Sequence, residues 1–291
     1  HYPETLYWLA QAHLKLRHGD EAESLFKEFA KVAPPRHPWL PQALRAQALA
    51  SALGKSSETA LPILQRAYQN ASDIGDRALM GKLTLDMANI SFNAKKYEKA
   101  AGFYRQMEQV DPKNEKLPFA LIQGGVALYR SSYYTDAIDN WMKLVRQFPK
   151  DPRAPDALFR ASKTWFDLAK FTEAIAGFED LMRNYPLTDF AKDSLLQIGQ
   201  AYYNDKNFTK AIDTYKDFLT KYPRDPQSVQ VAQLLQMAYY KTGKSPEDID
   251  ALTKGQTKNP VLVDVYWEVG AKIYNKKDYP KAIRGFADIS S

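Results

Sequence analysis

Along most of this chain apolar residues recur at intervals of three and four, with charged side chains on the opposite face. The segment 157–166 shows the pattern: Leu158, Ala161 and Trp165 fall on one stripe, which predicts an amphipathic helix. A short polar turn follows, and a second periodic stretch then opens on an aromatic residue. Tyr134, Ala137 and Trp141 mark one such stretch, Phe171, Ala174 and Phe178 the next, and Phe208, Ala211 and Tyr215 a third, each 37 residues after the last. Every copy continues to an apolar residue (Leu144, Leu181, Phe218) and a proline (Pro149, Pro186, Pro223), and the proline ends the helix.

The comb extends backwards through Tyr97, Ala100, Tyr104 and Pro112, then Ala60 with Leu64, then Ala22, Phe26 and Pro34. Forwards it reaches Asp248, Leu252 and Pro260, then Tyr279, Ala282 and Phe286, for eight copies in all. Each copy reads as a helical hairpin. The alanine is expected where the two helices approach most closely, and the aromatic one turn on is expected to fill the space between one hairpin and the next. Asp20, Ser57 and Asp136 are expected to cap the second helices.

A single hairpin cannot bury its apolar faces, so neighbours must stack. The expected fold is all-α: a right-handed superhelical solenoid of about eight hairpins with a concave groove. The repeats run over 3–36, 41–76, 81–114, 118–151, 155–188, 192–225, 229–262 and, incomplete, 263–291, in one array over 1–291. The stretch 34–76, with Pro34, Pro35, Pro38, Pro41 and Pro62, is the least regular, and the pattern leaves open whether it is a hinge or a contact of its own.

Composition narrows the function. Hydrophobic residues make up 45% and charged residues 25%, which excludes a disordered chain, and no apolar run has the length of a bilayer span. With no cysteine there is neither a disulfide framework nor a thiolate metal site. The net charge of +6 is spread as alternating signs, as in Lys95-Lys96-Tyr97-Glu98-Lys99, and basic residues do not recur at a fixed repeat phase. Nucleic acid is therefore not expected as a partner. His1, His13, His18 and His37 lack the spacing of a helical zinc site, and no nucleophile, base and acid fall together. Gly124-Gly125 reads as a close helix contact. No catalytic residue, metal or cofactor is assigned.

The residues quoted resemble the tetratricopeptide repeat, whose usual period is about 34 residues. The excess lies in a lengthened loop, Phe148-Pro149-Lys150-Asp151-Pro152 and Tyr222-Pro223-Arg224-Asp225-Pro226. That loop, with Ala157-Leu158, Ser194-Leu195 and Tyr202-Tyr203, is similar to bacterial envelope repeat proteins of the BamD and YbgF (CpoB) type. It departs from them in lacking a lipidated cysteine and an amino-terminal coiled coil, and in its copy number. The chain also ends inside a second helix, which leads us to expect a longer protein.

The resemblance implies a partner-binding scaffold, periplasmic or outer-membrane-associated, with the cytoplasm as the alternative. It also implies that one position of each first helix faces the groove: Leu14, Ala52, Phe92, Tyr129, Phe166, Tyr203, Tyr240 and Tyr274. The six aromatics would grip a protein or peptide segment, and Asn89, Lys163, Gln200 and Asn204 would fix its register. The competing expectation is that the aromatics pack between repeats and the polar residues are merely solvated. Other readings are a helical-array enzyme or carbohydrate-binding accessory, and self-association through terminal repeats.

Overall fold

The computed structural model describes residues 2–16, 18–54 and 57–243, with the side chains of 53, 54, 57, 58 and 240 outside that description. Among the described residues there are thirteen elements, all α-helices, and they alternate as first and second helices of hairpins. The hairpins are α1 (Tyr2–Lys15) with α2 (Gly19–Val32), α3 (Leu40–Gly54) with α4 (Ser57–Asp73), and α5 (Arg77–Asn93) with α6 (Tyr97–Val110). They continue with α7 (Leu117–Arg130) and α8 (Tyr134–Gln147), α9 (Ala154–Asp167) and α10 (Phe171–Asn184), and α11 (Asp189–Asn204) and α12 (Phe208–Lys221). The first helix of a further copy, α13 (Ser228–Lys241), follows. The remainder of that copy and all of 263–291 lie outside the described residues. The chain forms two compact units, His1–Ala157 and Leu158–Ser291. The irregular stretch 34–76 contains an ordinary hairpin, and Pro62 sits inside α4 without ending it.

Four of the hairpin turns are built the same way. Lys95, Ser132, Ala169 and Lys206 take φ of 59°, 66°, 57° and 63°, a left-handed conformation at one register position. The next residue's N–H then donates back to the third-last helical carbonyl, Lys96 to Ser91 at 2.8 Å and Tyr133 to Leu128 at 2.9 Å. The left-handed residue itself donates to the second-last carbonyl, Lys95 to Phe92 at 2.9 Å and Ser132 to Tyr129 at 3.0 Å. This is a Schellman ending, and it satisfies the free carbonyls while reversing the chain.

The caps differ from expectation. His18 and Tyr133 stand at the N-caps of α2 and α8 without a side-chain bond, so Asp20 and Asp136 lie in the first helical turn, where they meet the helix dipole. Ser57 opens α4, and its side chain is outside the described residues. The capping carboxylates precede first helices instead. Asp76 accepts from Leu79 N–H at 2.9 Å, and Asp151 and Asp225 accept from Arg153 and Gln227 N–H, both at 2.9 Å. The hairpin turns leave α2, α6, α8 and α10 without a side-chain cap, whereas Asn207 caps α12 by accepting from Lys210 N–H at 3.3 Å.

The small residues sit where the periodicity puts them. Ala22, Ala60, Ala100 and Ala137 in the first unit, and Ala174 and Ala211 in the second, are fully buried. The aromatic one turn on packs first on its own hairpin: a Cβ on Gly125 would stand 2.3 Å from Trp141 Nε1, and one on Gly199 would stand 2.4 Å from the Tyr215 ring. Phe178 lies 5.6 Å from Phe159 of its own first helix, and Phe159 in turn lies 5.4 Å from Phe190 of the following one. The aromatic also packs towards the next hairpin, as expected: Phe178 clusters with Ile198 and Ala201, Tyr215 with Leu235 and Tyr239, and the Tyr104 Cβ is 3.2 Å from the place of a Cβ on Gly124. The first unit's core is centred on Phe26, Phe29, Leu44, Leu64 and Leu83, and the second unit's on Phe178, Tyr215, Phe218 and Tyr239.

Candidate partner-binding groove

The predicted aromatic row lies at the carboxy-terminal end of the first helices, on the residue whose carbonyl closes the Schellman turn. This explains its constant geometry, because the turn fixes the following helix against it. In each complete hairpin that carries an aromatic there, the ring meets the first residue of its own second helix edge to face. Phe92 and Tyr97 have centroids 5.3 Å apart, Tyr129 and Tyr134 5.2 Å, Phe166 and Phe171 5.7 Å, and Tyr203 and Phe208 5.3 Å. The packing is thus within a hairpin rather than between hairpins.

The clasp leaves each ring partly exposed. Phe92, Phe166 and Tyr203 are half-buried, and Tyr129 is 39% exposed. Leu14 and Ala52 at the same register are half-buried and lack a ring. Tyr240 ends α13 with its side chain outside the described residues, and Tyr274 lies outside them altogether. Clasp partners Tyr97, Tyr134, Phe171 and Phe208 each border the row residue of their own hairpin. Their signal was present as the opening aromatics of the second helices, but nothing in the periodicity tied them to the row.

The polar residues divide. Asn89 is engaged from behind: the buried Tyr104 hydroxyl donates to its Oδ1 at 2.8 Å. Lys163 is half-buried, pairs with Asp167 one turn on, and holds its Nζ 4.6 Å from the Phe166 ring centre. Gln200 is half-buried and Asn204 exposed beside Tyr203. In the first unit Arg130 adds a second cation, its guanidinium 5.5 Å from the Tyr97 ring centre. An ion pair between Arg45 of α3 and Asp86 of α5 ties successive first helices. The surface thus offers ring faces bordered by cations, a chemistry that takes up apolar and aromatic side chains and tolerates carboxylates. Behind it, burial pushes the Tyr104 and Tyr215 phenols well above the ordinary tyrosine range, with Tyr203 adding to the shift at Tyr215.

Fold and surface define a class: helical-hairpin repeat proteins whose first helices present a recurring row of side chains. Residues 7–73 match the family model described as tetratricopeptide repeat, and residues 152–269 match that of YfiO, described as outer membrane lipoprotein. Over those two stretches the chain is similar to tetratricopeptide-repeat proteins and to outer membrane lipoproteins of the YfiO type.

No curated protein matches the chain. Among solved structures it is similar to the TPR2AB domain of yeast Sti1 in its complex with pHSP90, at 16% identity and TM-score 0.36, over 84% of this chain and 99% of that one. It is similar to a putative kinesin light chain of Podosopora anserina with nearly identical repeats, at 12% identity and TM-score 0.48, over 62% and 93%. A third likeness is the STAND protein PH0952 of Pyrococcus horikoshii, with a tetratricopeptide repeat sensor, at 16% identity and TM-score 0.49, over 88% and 42%. Among the described residues no helix is long and apolar enough to cross a membrane.

Proposed function

We propose that this chain is a non-catalytic scaffold of the bacterial cell envelope that binds a protein segment along its first-helix face. The observation that carries the reading is the row Phe92, Tyr129, Phe166 and Tyr203: each ring is held edge-on by its own hairpin and half open to solvent. Rings already fixed by a clasp lose little rotamer freedom on binding, so the surface is preorganised. The match of 152–269 to an outer membrane lipoprotein family supports a periplasmic, outer-membrane-associated setting.

The test compares capture from a cell-envelope extract by the wild-type chain, by Tyr129→Ala with Tyr203→Ala, and by Leu187→Ala. Leu187 is 99% exposed in a loop and serves as the control. Loss of a specific partner in the double variant alone, with helicity retained, supports the row as the binding surface. Equal capture by all three places binding elsewhere.

A second reading, self-association, is favoured by α1. Leu83 and Met87 of α5, Ala120 and Gly124 of α7 and Ala43 and Gln47 of α3 are all buried, yet Thr5 and Leu9 at the same register of α1 are exposed, Leu9 at 47%. That face has the register of an inter-hairpin contact. Sedimentation of wild type and Leu9→Glu decides it: a dimer that the substitution dissociates supports the reading, and a monomer in both rejects it.

A further inference from the structure

The second helices carry a surface of their own. In the first unit Lys143 of α8 reaches back to Glu108 of α6, Nζ to Oε2 at 2.8 Å, and so bridges the crease between successive second helices. Two 37-residue periods later the same register positions hold Asp217 and Met182, which cannot form that bridge. Between α10 and α12, with α11 beneath, the crease stands open as a cleft of about 370 Å³. Leu195, Ile198, Met182 and Tyr202 supply apolar walls, and Glu179, Asp213 and Asp217 line it as carboxylates.

Charge decides what fits. Three carboxylates face one ammonium, that of Lys210, in a protein whose net charge is +6. Lys210 itself stands 5.2 Å from the Tyr202 ring centre, and Asp217 shares its charge with Lys221 at 2.8 Å. Glu179 and Asp213 are exposed on the rim, available to an incoming cation.

We propose that this cleft takes the lysine or arginine side chain of a basic, partly apolar segment of a partner protein. The methylene stem lies along Leu195 and Ile198, as long cationic side chains do on apolar surface. The charged head meets Glu179 and Asp213 in charge-assisted hydrogen bonds. The Tyr202 ring already holds one cation and accepts a second at its edge of the cleft. This surface shares no residue with the aromatic row, so the two readings stand or fall separately.

The experiment measures fluorescence anisotropy of a fluorescein-labelled peptide of alternating lysine and leucine, titrated with the full chain. Wild type is expected to bind it saturably, one to one, and to ignore the glutamate–leucine counterpart. Glu179→Lys with Asp213→Lys is expected to weaken binding about 10-fold or more, while Asp139→Lys with Glu115→Lys, at exposed carboxylates of the first unit, changes it less than about 2-fold. Met182→Glu with Asp217→Lys places across the cleft the ion pair that bridges the first unit's crease. It is expected to abolish binding while leaving the melting temperature unchanged or raised. Wild-type affinity in either cleft variant, an equal loss in the control pair, or no saturable binding by wild type overturns the proposal.

Discussion

The indole of Trp141 lies over Gly125 and donates its N–H to the Ile122 carbonyl at 3.1 Å. A Cβ on Gly125 would meet three ring atoms at 2.3–2.7 Å, and the ring is pinned by its hydrogen bond. Alanine is ordinarily the better helix former by about 1 kcal/mol, but here the steric term wins, and Gly125→Ala is expected to destabilise by about 1–3 kcal/mol. Gly102, inside α6 with nothing within 4 Å, reverses the sign: Gly102→Ala is expected to stabilise by up to about 1 kcal/mol. Urea unfolding of the two variants measures both, and a common sign would refute the argument.

The four left-handed turn residues make a second prediction. A side chain at such a φ costs about 1–2 kcal/mol relative to glycine, offset in part by the greater freedom of glycine in the unfolded chain. Ala169→Gly and Lys206→Gly are each expected to stabilise by about 0.5–1 kcal/mol, and, being in separate hairpins, to add. A decrease in stability on denaturant unfolding would show that the side chains at these turns contribute more than the strain removes.

Two buried tyrosines differ in a way that a single atom tests. The Tyr104 hydroxyl donates to Asn89, whereas the fully buried Tyr215 hydroxyl has no hydrogen-bond partner. Tyr104→Phe is expected to cost about 1 kcal/mol, and Tyr215→Phe to be neutral or stabilising. Burial raises both phenols above their usual range, so the folded chain holds protons that the unfolded chain releases near pH 10. Their contribution is complete below that pH and is lost as pH rises beyond it, by up to about 1.4 kcal/mol per unit for each tyrosine. Thermal unfolding from pH 8 to 11 should show a decline that Tyr215→Phe makes shallower.

What the amino-acid pattern revealed and what it concealed follow from how each feature is encoded. The hairpins were legible because Ala137, Ala174 and Ala211 must be small at the same place in every copy, and repetition exposes such a requirement. The turn conformation was not, since Lys95, Ser132, Ala169 and Lys206 share no side-chain chemistry and only the backbone makes them alike. The aromatic row is legible because it repeats, but its edge-on partners read only as helix openings, because their pairing crosses a turn that periodicity does not see. The cleft at Glu179 and Asp213 was invisible for a further reason: it depends on residues of two successive hairpins, and on a bridge present at Lys143 and Glu108 and absent two copies later.

The loop before α13 offers the last prediction. Asp225 accepts from the Lys192 ammonium at 2.7 Å and from Gln227 N–H at 2.9 Å, and these bonds, Lys192 first, hold its carboxyl below the usual carboxylate range. A depressed folded value means that the stabilisation is present above the unfolded value near pH 4 and is lost as pH falls through the folded one. Asp225→Ala is therefore expected to cost about 0.5–2 kcal/mol at pH 7, as the loss of a helix cap does, with the difference from wild type shrinking as pH falls through the folded value. Lys192→Met removes one donor and leaves the cap, so it is expected to cost about 0.5–1 kcal/mol at pH 7. Urea unfolding of the three proteins in steps from pH 7 downwards separates cap from ion pair: equal costs for both substitutions would assign the whole effect to Lys192, and a cost for Asp225→Ala that does not change with falling pH would show that the carboxylate's charge is not what stabilises the loop.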